Sequence, residues 1–185
     1  MSILIIDNHS ASLLELIDSF PVAPTVISKE NFDDGIDLKP YNLIVLSGGS
    51  HMPTVLHHPE HYAKEMELIK TSSIPLLGIC LGAEIIATAF GSTLKKLEHK
   101  HIGHVSLTID DDTLKKDLDA KEVNFFEAHG IGIAKLPDCL IACAHSDHGI
   151  EIYRHAQKSI IGLQFHPEID KNHALFAWIF ETLGL

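Results

Sequence analysis

Cys80 stands between two glycines in the stretch GICLG (78–82), where an apolar run changes into a pattern with helical spacing. A strand that turns into a helix through Gly-x-Cys-x-Gly is typical of a nucleophile elbow, in which a strained turn lifts a side chain above the carboxyl edge of a sheet. Unpaired N–H groups at the start of the helix favour the thiolate. The pattern therefore favours a cysteine nucleophile, although a buried cysteine in a packing turn is the alternative that these five residues leave open.

A thiol nucleophile needs a base, and the segment GLQFHPE (162–168) offers one. His166 and Glu168 lie two positions apart at the end of an apolar run, and in an extended backbone such positions share a face. Glu168 can then bind one ring nitrogen of His166 and leave the other for the thiol. We therefore predict that Cys80, His166 and Glu168 are the catalytic residues, whereas the pair alone could be ordinary surface residues at a strand end.

The segments that must position these residues alternate between buried strands and helices. Apolar runs predict strands, and helical spacing predicts helices, over these ranges: strands 3–6, 25–27, 41–46 and 74–79; helices 12–20, 59–70 and 81–90. This order predicts an α/β fold with an open, mostly parallel sheet and helices on both faces.

The second half of the chain predicts an antiparallel extension of that sheet. Its strands are closely spaced, at 105–109, 123–126, 139–144, 150–153 and 160–165, and they precede a last helix at 172–183. The acidic residues 110–112 suggest a solvated turn. Since the sequence contains no linker or repeat, we expect a single domain over residues 1–185.

Composition excludes several classes of protein. The 185 residues are 45% hydrophobic and 21% charged, as in a globular protein, and the formal net charge of -11 disfavours a nucleic acid or an anionic membrane as partner. The longest apolar stretch is interrupted by Glu84, so no membrane span is predicted. Three cysteines without framework spacing indicate a reducing, cytoplasmic location.

Fourteen histidines are many for this length, and several are grouped, at 57–61, 99–104 and 145–148. Such groups could bind a metal ion, but no H-E-x-x-H or Cys/His pattern completes a set of ligands. We therefore predict no metal site and expect most of these histidines on the surface or in loops.

These motifs together resemble the class I, or triad-type, glutamine amidotransferases. The matching segments, in order, are SGGS (47–50), GICLGAE (78–84) and GLQFHPE (162–168), with weaker matches at EAHG (127–130) and AHSDHGIE (144–151). The resemblance extends over nearly the whole chain, whose length is close to that of one glutaminase domain. It implies a flavodoxin-like core and a glutamine amidohydrolase that needs no cofactor.

The resemblance also implies a role for each matching residue. Cys80 would attack the side-chain amide of glutamine to form a glutamyl thioester, His166 would transfer the thiol proton to departing ammonia, and Glu168 would orient His166. Water would then hydrolyse the thioester.

Backbone groups near the thiol would bind the substrate. The N–H groups of Gly49 and Leu81 would form the oxyanion hole, and Gly48 would let that loop approach closely. His129 and Gly130 fall where the family contacts the substrate backbone, although a loop histidine without such a role is an equal alternative.

Glu84 departs from the family pattern, which usually has glutamine four residues after the nucleophile. One helical turn places its side chain on the Cys80 face, where an ionised carboxylate would oppose formation of the thiolate. Glu84 could turn outward, pair with a substrate amine, or indicate a substrate other than free glutamine.

The ammonia acceptor is not encoded in this sequence, so the resemblance implies a separate synthase subunit. The EAHG segment resembles the guanylate-synthase branch more than the anthranilate-synthase branch. One alternative is a free-standing thiol hydrolase of γ-glutamyl amides or peptides. The other is a non-catalytic regulatory domain with a degenerate pocket, which the intact Cys80, His166 and Glu168 disfavour.

Overall fold

The computed structural model describes residues 1–33, 35–50 and 52–185. Within these residues the strands are β1 (Ile3–Asp7), β2 (Thr25–Ser28), β3 (Leu43–Leu46), β4 (Leu76–Ile79), β5 (Thr93–Ile109), β6 (Glu122–Lys135), β7 (Leu140–Ser146), β8 (Gly149–His155) and β9 (Ile160–Leu163). The helices are α1 (Leu13–Asp18), α2 (Lys29–Asp33), α3 (Ala63–Thr71), α4 (Leu81–Ala89), α5 (Asp112–Leu118), α6 (Pro167–Asp170) and α7 (His173–Leu183). A 3₁₀ turn, Pro59–Tyr62, precedes α3.

One sheet contains all of these strands, in the order β2-β1-β3-β4-β9-β8-β6-β5-β7. The first five are parallel, as the sequence predicts for the α/β half of the chain. β9 comes from the far end of the sequence, yet it pairs directly with β4. A single sheet also supports the proposal of one domain.

Helices cover both faces of the parallel strands, which confirms that part of the prediction. Side chains alternate along a strand, so Ile3 and Ile5 of β1 pack in one buried cluster while Leu4 and Ile6 pack in the other. The first cluster contains residues of α1 and α7, and the second contains residues of α3 and α4. Burial on both faces explains why these strands are apolar throughout.

The antiparallel half closes on itself, so the prediction of an open, mostly parallel sheet is wrong there. β7 pairs with β5 at Thr108 and Ile109, and it also pairs with β8, which closes a barrel-like ring of β8, β6, β5 and β7. Among the described residues, five strand pairings are antiparallel and four are parallel. Periodicity predicts strands but not which edges meet, which is why the sequence did not indicate closure.

Two strands of this ring are much longer than predicted. β5 has 17 residues and β6 has 14, and their pairing is interrupted by register shifts between Thr93 and Leu94 and between Lys96 and His101. Bulges of this kind bend a strand and increase its twist, as a small closed ring requires. The exposed, charged first half of β5 lacks the alternation that would have predicted a strand.

Two helices in the second half of the chain illustrate one correct and one wrong prediction. α7 begins as predicted, because Asn172 Oδ1 accepts the Leu175 N–H at 3.0 Å. The predicted solvated turn at 110–112 instead starts α5, where Asp111 Oδ1 accepts the N–H groups of Thr113 and Leu114 at 3.0 and 3.1 Å. In the described part of the chain, no helix combines the length and apolar character needed to cross a membrane.

The first test of the packing compares two leucines of α1. Leu16 is fully buried, whereas the Leu14 side chain is exposed to 73%. We expect Leu16→Ala to lower the free energy of unfolding by about 2–5 kcal/mol, because it leaves a cavity between α1 and the sheet. Leu14→Ala should change it by less than about 0.5 kcal/mol, since alanine keeps the helix and no buried contact is lost. Urea unfolding followed by circular dichroism measures both, and equal losses would contradict this description of the core.

Candidate active site

Cys80 occupies the sharp turn between β4 and α4, in a strained backbone conformation with φ 50° and ψ -109°. Its N–H donates to the Leu163 carbonyl of β9 at 2.7 Å. The flanking glycines are required by space: a Cβ at Gly78 would lie 2.7 Å from the backbone of Gly82, and a Cβ at Gly82 would overlap the Leu46 carbonyl oxygen. The turn therefore has the form expected of an elbow, and such strain persists where the surroundings enforce it.

His166 lies beside this turn and contacts a buried carboxylate. Its Nδ1 is 2.7 Å from Glu168 Oε1, and Glu168 is completely buried. The backbone that joins these two residues is not the extended strand end that the sequence predicts. β9 stops at Leu163, Pro167 takes the first position of α6, and the pair meets across the start of that short helix.

Ser12 supports the pair and was not predicted from the sequence. Its Oγ donates to Glu168 Oε1 at 2.6 Å and lies 3.5 Å from His166 Nδ1. The residue immediately precedes α1, so the only sequence signal was that of an ordinary helix start. Two segments from opposite ends of the chain thus hold one carboxylate oxygen.

The environment of His166 favours its protonated ring. Burial lowers the pKa of His166, but the charge of Cys80, a hydrogen bond to Cys80 and the contacts with Glu168 together raise it to about 10. The arrangement therefore suits a thiolate–imidazolium pair.

The glycine loop after β3 lies against both groups. A Cβ at Gly48 would be 3.0 Å from His166 Cε1 and 3.6 Å from Cys80 Cβ, and a Cβ at Gly49 would overlap the Leu81 side chain. The N–H groups of Gly49 and Leu81 donate to no described residue. Two unpaired N–H groups beside a thiol are what an oxyanion hole needs.

A cavity of about 300 Å³ opens over the thiol. Cys80, Leu81 and Glu84 line one side, the β6 segment 128–131 lines another, and Lys96 and Lys100 of β5 supply positive charge. A neighbouring cavity of about 390 Å³ includes His166 and shares Gly49, Lys100 and Ala128 with the first. The two lysines belong to no motif, so sequence reasoning had no signal by which to select them.

The sequence of the chain matches a known family. The sequence profile of the family described as "Glutamine amidotransferase class-I" matches residues 4–183. The chain belongs to this family. The resemblance stated from the motifs is thereby confirmed.

Several relatives carry more specific names. The chain is 32% identical over 127 residues to a protein of Methanococcus maripaludis that is named as one subunit of a glutamine-hydrolyzing GMP synthase. That alignment covers 68% of this chain and 64% of the relative, which is less than two thirds of the relative's length. A protein of the same name from Methanococcoides burtonii is 32% identical over 164 residues, covering 85% of this chain and 81% of the relative.

Two solved structures share the fold. A protein from Thermoplasma acidophilum, described as the corresponding GMP synthase subunit, superposes with a TM-score of 0.84 at 23% identity, covering 100% of this chain and 94% of that one. A glutamine amidotransferase from Thermotoga maritima gives a TM-score of 0.73 at 19% identity, covering 100% and 86%. At such low identity these likenesses establish the fold alone.

Within this class-I domain, Glu84 faces inward, so the alternative of an outward-facing side chain is wrong. The residue is only 4% exposed, and its Oε1 accepts from Gln164 Nε2 at 3.1 Å. Burial raises the pKa of Glu84 to about 8, a shift that the hydrogen bond from Gln164 only partly offsets. A neutral carboxyl group at pH 7 does not oppose the Cys80 thiolate, which removes the difficulty foreseen from the sequence.

His129 is also buried, and its ring is engaged away from the thiol. Nδ1 lies 2.7 Å from the Ile131 carbonyl oxygen, and Nε2 lies 3.0 Å from Glu127 Oε2. The ring therefore has no free nitrogen for a substrate. Gly130 lines the cavity, so this part of β6 offers mainly backbone groups.

The buried carboxyl of Glu84 predicts a pH-dependent stability. The folded state keeps this proton up to about pH 8, whereas the unfolded chain releases it near the ordinary value of 4.5. Ionisation therefore costs stability progressively as pH rises between these values. Glu84→Gln removes the cost and keeps an acceptor for Gln164, so the stability of the variant relative to the wild type should rise by about 4 kcal/mol from about pH 5 to pH 8.5.

Urea unfolding at both pH values measures this gain. Glu67→Gln on the exposed face of α3 is the matched control, and it should leave the pH profile of stability unchanged. Parallel profiles for the wild type and Glu84→Gln would show that the Glu84 carboxyl ionises normally.

Proposed function

We propose that this chain is a glutamine amidohydrolase that passes ammonia to a separate synthase subunit. The observation that carries the proposal is the strained Cys80 elbow beside the buried His166–Glu168 pair, in a chain of the class-I family. The relatives named as subunits of GMP synthase support a synthase that forms GMP as the ammonia acceptor.

The first half of the reaction forms a thioester. The Cys80 thiolate attacks the carboxamide carbon of glutamine, and the resulting oxyanion is bound by the N–H groups of Gly49 and Leu81. When the tetrahedral intermediate collapses, the carbon–nitrogen bond breaks and protonated His166 donates its proton to the leaving nitrogen. Ammonia departs, and the glutamyl group remains on the sulfur.

The second half restores the enzyme. His166, now neutral, takes a proton from a water molecule that attacks the thioester carbonyl. The oxyanion hole serves again, the carbon–sulfur bond breaks, and glutamate leaves. Glu168 binds Nδ1 throughout, which keeps Nε2 directed at the thiol and the substrate.

The remaining cavity residues suit an amino-acid substrate. Lys96 and Lys100 line the cavity and carry positive charge that can bind the α-carboxylate of glutamine, while Gly130 offers backbone groups. Glu84 lines the cavity on the side of the elbow, and the backbone of His129 lines it on the side of β6. We assign these residues to substrate binding and not to chemistry.

A second candidate is a free-standing hydrolase of γ-glutamyl amides or peptides. The neighbouring cavity beside His166, of about 390 Å³, favours it, because a leaving group larger than ammonia could occupy that space. A non-catalytic domain is the weaker alternative, since it would have no use for backbone strain at Cys80.

The test of the proposal is ammonia release from glutamine by the purified chain, with and without a GMP-forming synthase subunit. We expect Cys80→Ala to lower the rate by about 10³-fold or more, because no other group replaces the nucleophile. An electrophilic glutamine analogue should label Cys80 in the wild type. Mass-spectrometric mapping of the label checks this.

Cys139→Ala is the matched control, because Cys139 is only partly buried yet lies outside the cavity. It should keep both activity and labelling. Labelling at Cys139 or Cys143 in place of Cys80 would refute the proposal. Release from γ-glutamyl peptides with none from glutamine would select the second candidate.

Ser12 is expected to act as a positioning residue for Glu168. Without the Ser12 hydroxyl, Glu168 Oε1 loses a hydrogen bond that fixes its position, and His166 is oriented less precisely. Ser12→Ala should therefore lower kcat about 10-fold with little change in KM. Ser12→Thr, which keeps a hydroxyl, should recover most of the rate.

Steady-state kinetics over a range of pH separates this role from a structural one. In the pH profile of kcat, the apparent pKa that reports His166 should shift in Ser12→Ala. It should not shift in Ser19→Ala, which alters the other end of α1. A raised KM with unchanged kcat would mean that Ser12 contacts the substrate instead.

A further inference from the structure

A second group of reactive side chains lies behind the cavity wall, inside the barrel-like ring. Glu127 and His129 point inward from β6, and His148 joins them from the turn between β7 and β8. One ligand atom from each residue lies within 4.8 Å of the other two. Glu127 Oε2 is 3.0 Å from His129 Nε2 and 2.8 Å from His148 Nδ1.

Buried carboxylate oxygens around this group lack partners. Glu127 is completely buried, and its Oε1 has no hydrogen bond to any described residue. Glu151 of β8 is 1% exposed, and its Oε2 is likewise without a partner in the described chain, although Ser146 Oγ donates to its Oε1 at 2.6 Å. The two carboxyl groups lie within hydrogen-bond reach of each other, so either a proton shared between them or a bound cation can satisfy these oxygens.

The tautomer of His129 points to a cation. Its Nδ1 lies 2.7 Å from the Ile131 carbonyl oxygen, which can only accept, so Nδ1 carries a hydrogen. In a neutral ring the lone pair is then on Nε2 and faces a carboxylate oxygen 3.0 Å away. Two lone pairs at that distance repel each other unless a proton or a metal ion lies between them.

The contact between His129 Nδ1 and the Ile131 carbonyl oxygen resembles the hydrogen bond that supports a metal-binding histidine. Histidines that bind metals commonly donate their second ring N–H to a carbonyl or a carboxylate, which fixes the ring orientation. Two imidazole nitrogens with one carboxylate oxygen are a frequent set for zinc with an open fourth position. Bond lengths of about 2.0–2.2 Å to one ion place its ligand atoms roughly 3.3 Å apart. Glu127 Oε2 is slightly closer than that to each ring nitrogen, and the ligand atoms of the two rings lie within 4.8 Å of each other.

We propose that Glu127, His129 and His148 form a binding site for a divalent transition-metal ion, of which Zn²⁺ fits the ligands best. The ion would replace the hydrogen between Glu127 and each ring and leave a fourth position open to water. This site is separate from the Cys80 thiol, and it revises the expectation of no metal. The sequence concealed it because its ligands come from two segments that follow no metal-binding pattern.

The location suggests what the ion would do. His148 keeps 25% of its side chain exposed, which provides a path for entry. The ion would tie the β7–β8 turn to β6, whose residues Ala128 and Gly130 line the cavity over Cys80. Its expected role is therefore to fix the strand that forms one wall of the active site.

Zn²⁺ binding to the full chain tests the site, and the measurements use the Cys80→Ala background so that the catalytic thiol cannot contribute. Isothermal titration against a chelator should give one Zn²⁺ per chain with a Kd below about 1 µM. His148→Gln and Glu127→Gln should each weaken binding about 100-fold or more. His145→Gln is the control, because His145 is a half-exposed neighbour whose Nδ1 contacts Asp110 instead.

Co²⁺ provides a direct view of the ligands. A bound Co²⁺ with four or five ligands should show visible absorption that disappears in His148→Gln and persists in His145→Gln. Zn²⁺ should also raise the Tm of the parent and not that of His148→Gln. The proposal would be overturned if about 100 µM Zn²⁺ failed to saturate the protein. It would also be overturned if His145→Gln and His148→Gln weakened Zn²⁺ binding equally. Neither result would bear on glutamine hydrolysis, which the Cys80→Ala background has already removed.

Discussion

The pairing of β4 with β9 is the constraint on which the site depends. In that register Gly78 faces Gly162 and Ile79 faces Leu163, so two parallel strands end at the same edge of the sheet. Cys80 follows one strand and His166 follows the other, and the Cys80 N–H still belongs to the ladder through Leu163. Two motifs distant in the sequence thus become neighbours through backbone hydrogen bonds, before any side chain of the site makes a contact.

The barrel-like ring is coupled to this edge through one tyrosine. Gly162 of β9 has no space for a Cβ, because the Tyr153 ring of β8 packs directly against it. The Tyr153 hydroxyl then donates to the Ala83 carbonyl in the first turn of α4. The antiparallel half therefore does more than extend the sheet: it supports the start of the helix that follows Cys80. A change in β8 would reach the elbow through this contact without altering any residue that touches the substrate.

In the candidate site, the residues that the sequence predicted are those that depend on local chain geometry. Cys80 was recognisable because its turn needs glycines at fixed positions, and His166 because a proline and a carboxylate follow it. Ser12, Lys96 and Lys100 were not recognisable, since they reach the site only through tertiary packing. The same distinction applies to the fold: continuous apolar runs predicted β1, β3 and β4, whereas the closure of β7 onto β8 depends on twist and on strand edges that no local pattern encodes.

Burial makes Glu84 chemically similar to the glutamine that the family usually has at this position. A glutamate that keeps its proton to about pH 8 has nearly the size of glutamine and, near neutrality, the same zero charge. It still accepts the Gln164 amide, as a glutamine side-chain oxygen would. The departure from the family pattern therefore does not by itself require a different substrate. Its consequence lies at higher pH, where an ionised Glu84 one helical turn from Cys80 would oppose the thiolate on which the proposed reaction depends.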